Sequence, residues 1–128
     1  MTQPISTKKG DWWQGYASAF KPHPRLTVAE WADIYRWIPR GTAAEWGQWS
    51  TSRTPFVKDI LNAFSDPDVK EVTFLAGSQV SKTEVILTVI GYFAHQDPSP
   101  VMLVLPDIGT AEKVSKKRVG PSFTESPK

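Results

Sequence analysis

The sequence predicts an α/β protein in which a helical N-terminal segment leads into the start of a parallel sheet with a crossover helix. Three observations predict it. Two nearly continuous apolar runs, EVTFLA at 71–76 and VMLVLP at 101–106, have the composition of strands covered on both faces. Between and after them, SKTEVILTVIGYFA and TAEKVSKKRV read as helices, so strand and helix alternate as in one right-handed β-α-β crossover. The composition also shifts along the chain: Trp12, Trp13, Trp31, Trp37, Trp46 and Trp49 all lie in the first half, while the second half is β-branched and aliphatic.

Taken in order, DWWQGYASAF at 11–20 offers Asp11 as a cap and Trp13, Tyr16 and Phe20 at helical spacing, which predicts a short aromatic helix. KPHPRL breaks the chain, because each proline biases its predecessor toward extended backbone. Thr27 and Glu30 then form a T-x-x-E capping box ahead of Val28, Trp31, Ala32 and Tyr35, which predicts a helix ending at Pro39. GTAAEWGQWSTSR at 41–53 reads as a loop carrying two tryptophans and an arginine, a kind of loop that often binds something. Thr54 and Pro55 restart a helix, cap then proline, with Phe56, Ile60, Leu61 and Phe64 facing inward until Ser65-Asp66-Pro67 stops it. After the second apolar run, TAEKVSKKRV is closed by Gly120-Pro121.

Composition excludes several classes of function. With Lys+Arg 15 against Asp+Glu 13, the charge balance argues neither for nor against nucleic acid. Cysteine is absent, which removes disulfides and thiolate zinc motifs, and His23 and His95 lack metal-ligand spacing. MTQPISTKKG has no apolar stretch after its lysines, so no secretory signal is expected. The most apolar window, VILTVIGYFA, is too short to cross a bilayer, so no membrane role is expected.

The chemistry concentrates in LAGSQVSKTE at 75–84, between the first apolar run and the helix after it. A phosphate-binding loop rings phosphate oxygens with successive backbone N–H groups at a helix N-terminus, with a Lys for the outer phosphates and a Ser or Thr for Mg²⁺. Lys82 and Thr83 occupy those two places, but the pattern G-x-x-x-x-G-K-[ST] asks for glycine where this chain has Ala76 and Ser81, with Gly77 displaced by one. A Cβ at position 81 costs little at negative φ and about 1 kcal/mol or more in the left-handed region. On these residues two readings stand: a phosphate site, or a strand-to-helix turn whose Lys and Thr face solvent.

Four stretches in order resemble the N-terminal part of lambda-type phage terminase large subunits, ATP-driven DNA-packaging motors. They are LTVAEWADIYRWIPR, GQWSTSRTPFVKDILNAFSDPDVKEV, FLAGSQVSKTEVILTVIGYFAHQDP and VLPDIGTAEKVSKKRVGPSFTESP, and together they run from Leu26 to the end of the chain. The third is similar to the family's deviant phosphate loop, where A-x-Q-V-G-K-T-E is usual, and Ser81 departs from it. The resemblance implies a partial P-loop NTPase-like domain at 71–128, a helical lead-in with an adenine-side loop at 26–70, and an N-terminal tail at 1–25. It places the Walker B carboxylates and the nuclease further downstream. Asp107 reads as a strand-end turn residue, since Pro106 intervenes and no acidic neighbour follows.

What the resemblance implies for the site is ATP with Mg²⁺. Gly77, Ser78, Gln79, Val80, Ser81, Lys82 and Thr83 would hold the phosphates, Lys82 as the catalytic cation and Thr83 as the metal ligand. Trp49, Arg53 and Phe56 are the candidates for the adenine base; core packing is the favoured role of Phe56, and for Trp49 capping of the core is the competing role. Val80 packs the turn equally well, and Glu84 reads as a first-turn carboxylate favoured by the helix dipole. The cluster KVSKKR at 113–118 is either a solvated helix face or a DNA-backbone contact. Implied partners are double-stranded DNA, the small terminase subunit and the portal protein, in the host cytoplasm during assembly. The alternative is a truncated, non-enzymatic remnant that retains only interaction surfaces.

Overall fold

The computed structural model describes residues 20, 24–41, 43 and 45–125. The aromatic helix expected at 11–20 lies outside the described residues. Helix α1 (Val28–Tyr35) starts where the capping box puts it: the Thr27 hydroxyl accepts from the Glu30 N–H, and the Glu30 carboxylate accepts from the Thr27 N–H at 2.9 Å. One face buries Val28, Ala29, Trp31 and Ala32. The helix stops at Tyr35, earlier than Pro39, because Arg36 turns extended and its carbonyl accepts from the Trp49 N–H at 2.9 Å.

That bond opens a small antiparallel ladder. Strand β1 (Trp37–Ile38) pairs with β2 (Gly47–Gln48), Trp37 opposite Gln48 and Ile38 opposite Gly47. The expected loop at 41–53 thus contains a strand and then a 3₁₀ turn at Thr51–Arg53. Gly47 sits at φ 118°, which side chains rarely adopt, so glycine here lets the strand enter the ladder. Asp33 fastens the far end: its Oδ1 accepts from the Thr51 N–H at 2.6 Å and from the Thr51 hydroxyl at 2.8 Å. The E-W-A-D stretch therefore does three jobs in four residues, capping with Glu30, packing with Trp31 and Ala32, and tethering with Asp33.

Helix α2 (Pro55–Ala63) begins with proline as expected, but no side chain caps it. Its inward residues are Val57 and Leu61, with Ile60 and Phe64 packed at the edge, whereas Phe56 is 53% exposed and does not face the core as expected. Helix α3 (Lys82–His95) matches its expected span and buries Val85, Leu87, Thr88, Gly91 and Tyr92. Helices α1, α2 and α3 pack on one another around Val28, Trp31, Trp49, Val57, Leu61, Val85 and Tyr92. The Trp31 indole crosses α3 at Gly91 and donates to His95 Nδ1 at 2.9 Å.

The parallel sheet is not present among the described residues. The runs at 71–76 and 101–106 carry no strand, and the ladder of β1 and β2 is the sheet observed. A strand exists only as a pairing, and neither run has a neighbour to bond; Leu75, Met102 and Val104 stand 96, 85 and 75% exposed. What the chain shows is a mixed helical structure with one short antiparallel ladder.

Helix α4 (Ile108–Val114) is capped by Asp107, whose carboxylate accepts from the Thr110 N–H at 2.8 Å and the Thr110 hydroxyl at 2.6 Å. Gly120-Pro121 does not close the helix as expected. The chain widens into a π turn at Ser115–Val119 and continues as α5 (Gly120–Thr124). The physical reason is Pro121: a proline inside a helix lacks an N–H and crowds the carbonyl one turn back. The wider turn, in which the Gly120 N–H bonds to Ser115 O, makes room for it.

Both capping carboxylates are held below their ordinary range, Glu30 by the Thr27 N–H and hydroxyl, Asp107 by the Thr110 hydroxyl and N–H. A depressed carboxylate adds stability that is complete above its ordinary range and is lost as pH falls through its folded value. Melting temperature is therefore expected to fall on acidification through the carboxylate range, and Glu30→Gln and Asp107→Asn should each flatten that part of the curve. A curve unchanged in both variants would mean that the caps carry none of the pH dependence.

Candidate functional site

The turn into α3 is built from backbone of alternating sign. Gln79 has φ 65° and Ser81 φ 39°, the two non-glycine residues at positive φ among those described, with Val80 between them at negative φ. Alternation of this kind turns successive N–H groups toward one side and makes an anion-binding concavity. Ser81 is the residue before α3, its side chain does not cap the helix, and its carbonyl accepts from the Val85 N–H at 2.9 Å. Among the described residues, the first N–H groups of α3 have no side-chain acceptor, and they lie at the positive end of the helix dipole. Lys82 reaches across the turn and donates from Nζ to Ala76 O at 3.0 Å.

The question left open at position 81 thus has an answer: the backbone there is left-handed, where a Cβ costs about 1 kcal/mol or more. Gly77, by contrast, is not at positive φ, so the glycine and the strained bend do not coincide. Ser81→Gly is expected to raise stability by about 1 kcal/mol in urea unfolding, with Ser81→Ala, which keeps the Cβ, giving no such gain. Equal stability of the two variants would show that the bend is not strained.

In front of this turn lies an open hollow of about 540 Å³. The fold brings Trp49, Arg53, Gln79, Val80, Ser81, Lys82 and Thr83 to its walls, joining the loop before α2 to the head of α3; Gly77 and Ser78 are not on it. Trp49 is 6% exposed, belongs to the core cluster and donates from its indole to the Thr51 hydroxyl at 3.3 Å, so it has a core role as well as a place on the hollow. Arg53 is exposed and pairs with Glu45 at 2.7 Å. Asp107 lies elsewhere, as a helix cap.

Glu84 and Arg118, to which the sequence reading gave no part in the nucleotide site, complete the wall, and Arg36 stands behind Glu84. Glu84, expected only to complement the helix dipole, is ion-paired: its Oε2 takes Arg36 Nη2 at 3.1 Å, and Arg118 Nη1 stands 3.8 Å from its Oε1. Arg36 is 4% exposed and also donates to the Trp37 carbonyl at 2.8 Å. Burial pushes its pKa down, and the charge and hydrogen bond of Glu84 oppose that shift in part. Arg118 comes from the KVSKKR cluster, in which Lys116 instead pairs with Glu112 on the solvent side at 3.5 Å. No sequence signal separates Arg118 from its basic neighbours; the π turn does.

A profile for the ATPase domain of the phage terminase large subunit gpA matches residues 43–128. The chain belongs to that terminase family. The match takes in β2, α2, α3 and the loop at 77–83, so the hollow lies largely within the terminase ATPase region, with α1 and Arg36 ahead of it. The terminase large subunit of Escherichia phage lambda is 32% identical over 113 residues, which is 88% of this chain and 17% of that relative. No solved structure shows significant similarity to the chain. Among the described residues of this terminase chain, no group of three His, Cys, Asp or Glu residues is placed to hold a metal, and no helix is long and apolar enough to cross a membrane.

Proposed function

We propose that the hollow ahead of α3 is a Walker A-type site for ATP, and that the whole protein of which these residues are a part uses ATP hydrolysis to package viral DNA into procapsids. One observation carries the reading: in a terminase chain, two left-handed residues bend the backbone around the head of a helix that no side chain caps, with Lys82 across the bend. A triphosphate fits this chemistry, since backbone N–H groups and a helix N-terminus favour anions and the hollow has the size of a ligand pocket.

In this reading the N–H groups of residues 78–82 ring the β and γ phosphates. Lys82 exchanges its bond to Ala76 O for phosphate oxygens, and Thr83 offers its hydroxyl to Mg²⁺. Bound Mg²⁺ neutralises phosphate charge and keeps most of its ligands as water and phosphate oxygens, so a single protein hydroxyl suffices on this side. Trp49 and Arg53 contact the base. The apolar runs at 71–76 and 101–106 serve as strands once paired within the whole protein, and double-stranded DNA, the small terminase subunit and the portal protein are its partners in the host cytoplasm.

Titration of the chain with ATP and Mg²⁺, followed by calorimetry or tryptophan fluorescence, tests the site. Saturable, magnesium-dependent binding is expected, weakened at least about tenfold by Lys82→Ala through loss of a charged contact. No signal at millimolar ATP would defeat the proposal and favour a remnant that keeps only interaction surfaces.

A further inference from the structure

We infer that Arg118 is a second phosphate-contacting cation of this site, parked on Glu84 until an anion enters the hollow. The inference rests on the nucleotide reading above and adds a residue to it from the far end of the chain. Glu84 has two basic partners on its two oxygens, and they are unequal. Arg36 is buried, and its contact at 3.1 Å is a hydrogen bond as well as an ion pair. Arg118 is 3.8 Å away, outside hydrogen-bond distance, and its side chain is 39% exposed.

Because Arg36 remains, Arg118 can leave Glu84 without stranding a carboxylate in a nearly closed position. Its destination is close by: Arg118 lines the same hollow as Lys82, Thr83 and Gln79. Setting aside the Arg53–Glu45 pair, which balances itself, the hollow and the residue behind it carry Lys82, Arg118 and Arg36 against Glu84, an excess of positive charge among the described residues. A planar guanidinium takes phosphate oxygens in bidentate fashion, which a loose carboxylate contact does not satisfy.

The position of Arg118 also has a structural cause. It lies inside the π turn that Pro121 imposes, and the Ser122 hydroxyl donates to its carbonyl at 2.7 Å. Widened turns re-aim side chains relative to a regular helix, and they recur at functional sites. Contact with phosphate from this turn ties the helical arm of α4 and α5 to occupancy of the hollow.

The test compares Arg118→Gln and Glu84→Gln in the full chain, titrated with ATP, AMP and inorganic tripolyphosphate, with Lys82→Ala as the control for the site. Arg118→Gln is expected to weaken ATP and tripolyphosphate about tenfold and AMP little. Glu84→Gln, which keeps an acceptor for Arg36 and releases Arg118, should leave ATP affinity equal or higher. If Arg118 merely braces Glu84, the two variants will move ATP affinity in the same direction, and the inference fails. It fails also if Lys82→Ala loses binding while Arg118→Gln keeps it, an outcome that leaves the nucleotide site standing. Absence of ATP binding in the unmutated chain defeats both. Arg118→Lys, which retains the charge, guards against misfolding: partial recovery of tripolyphosphate affinity supports the contact, and none overturns it.

Discussion

Glu84→Ala is expected to destabilise the protein by about 3–5 kcal/mol, because it leaves the Arg36 guanidinium buried without a counter-charge. The size follows from position: Arg36 is 4% exposed, and among the described residues its Nε has no hydrogen-bond partner and its guanidinium bonds to the Trp37 carbonyl and Glu84. Arg118→Ala should cost less than about 1 kcal/mol, since that contact is long and half open to solvent. Replacing both members of the buried pair, Arg36→Leu with Glu84→Leu, should recover much of the loss, because apolar residues of similar volume often match a buried pair. Urea unfolding followed by tryptophan fluorescence measures all three. A loss below 1 kcal/mol for Glu84→Ala would mean that water reaches Arg36 freely.

Gly91→Ala is expected to cost about 1–3 kcal/mol, even though alanine is the better helix former by about 1 kcal/mol. A Cβ at position 91 falls 2.7 Å from Trp31 Cη2, closer than carbon atoms approach, and a tight 3.3 Å from Cζ3. The indole is held by its neighbours. It is 5% exposed, its N–H is fixed on His95, and Tyr92 meets it edge-on at 6.1 Å between ring centres. Trp31→Phe removes the ring atoms that clash, so combining it with Gly91→Ala should cost clearly less than the sum of the two single changes. Additive losses would show that α1 shifts bodily to admit the methyl group and that the indole is not wedged.

How much of this was legible beforehand depends on the range of the interaction concerned. The start of α1 was, because Thr27 and Glu30 cap each other three residues apart, and so was the span of α3. The inward face of α2 was misjudged by one residue: both Phe56 and Val57 fit a helical stripe, and Val57 is the one that meets α1 and α3. The strands failed for a different reason. Apolar composition marks residues able to pair, and 71–76 and 101–106 have no neighbour to pair with among the described residues.

At the site the division is similar. That Lys82 and Thr83 open a helix after a tight turn, and that a tryptophan and an arginine precede α2, follow from local sequence, whereas the family resemblance took four stretches in order. That residues 49 and 53 face 79–83 across one hollow was decided by Asp33 holding Thr51 and by the pairing of β1 with β2.

The amino-acid sequence by itself determined the helix starts, the turn before Lys82 and membership of the terminase family, since caps, proline positions and motif order act over a few residues. Tertiary structure alone decided the handedness at Ser81, the burial of Arg36 against Glu84 and the arrival of Arg118 beside them. Each of those depends on groups 34 to 82 residues apart being forced together, or on a backbone angle that a side chain tolerates only when its surroundings impose it.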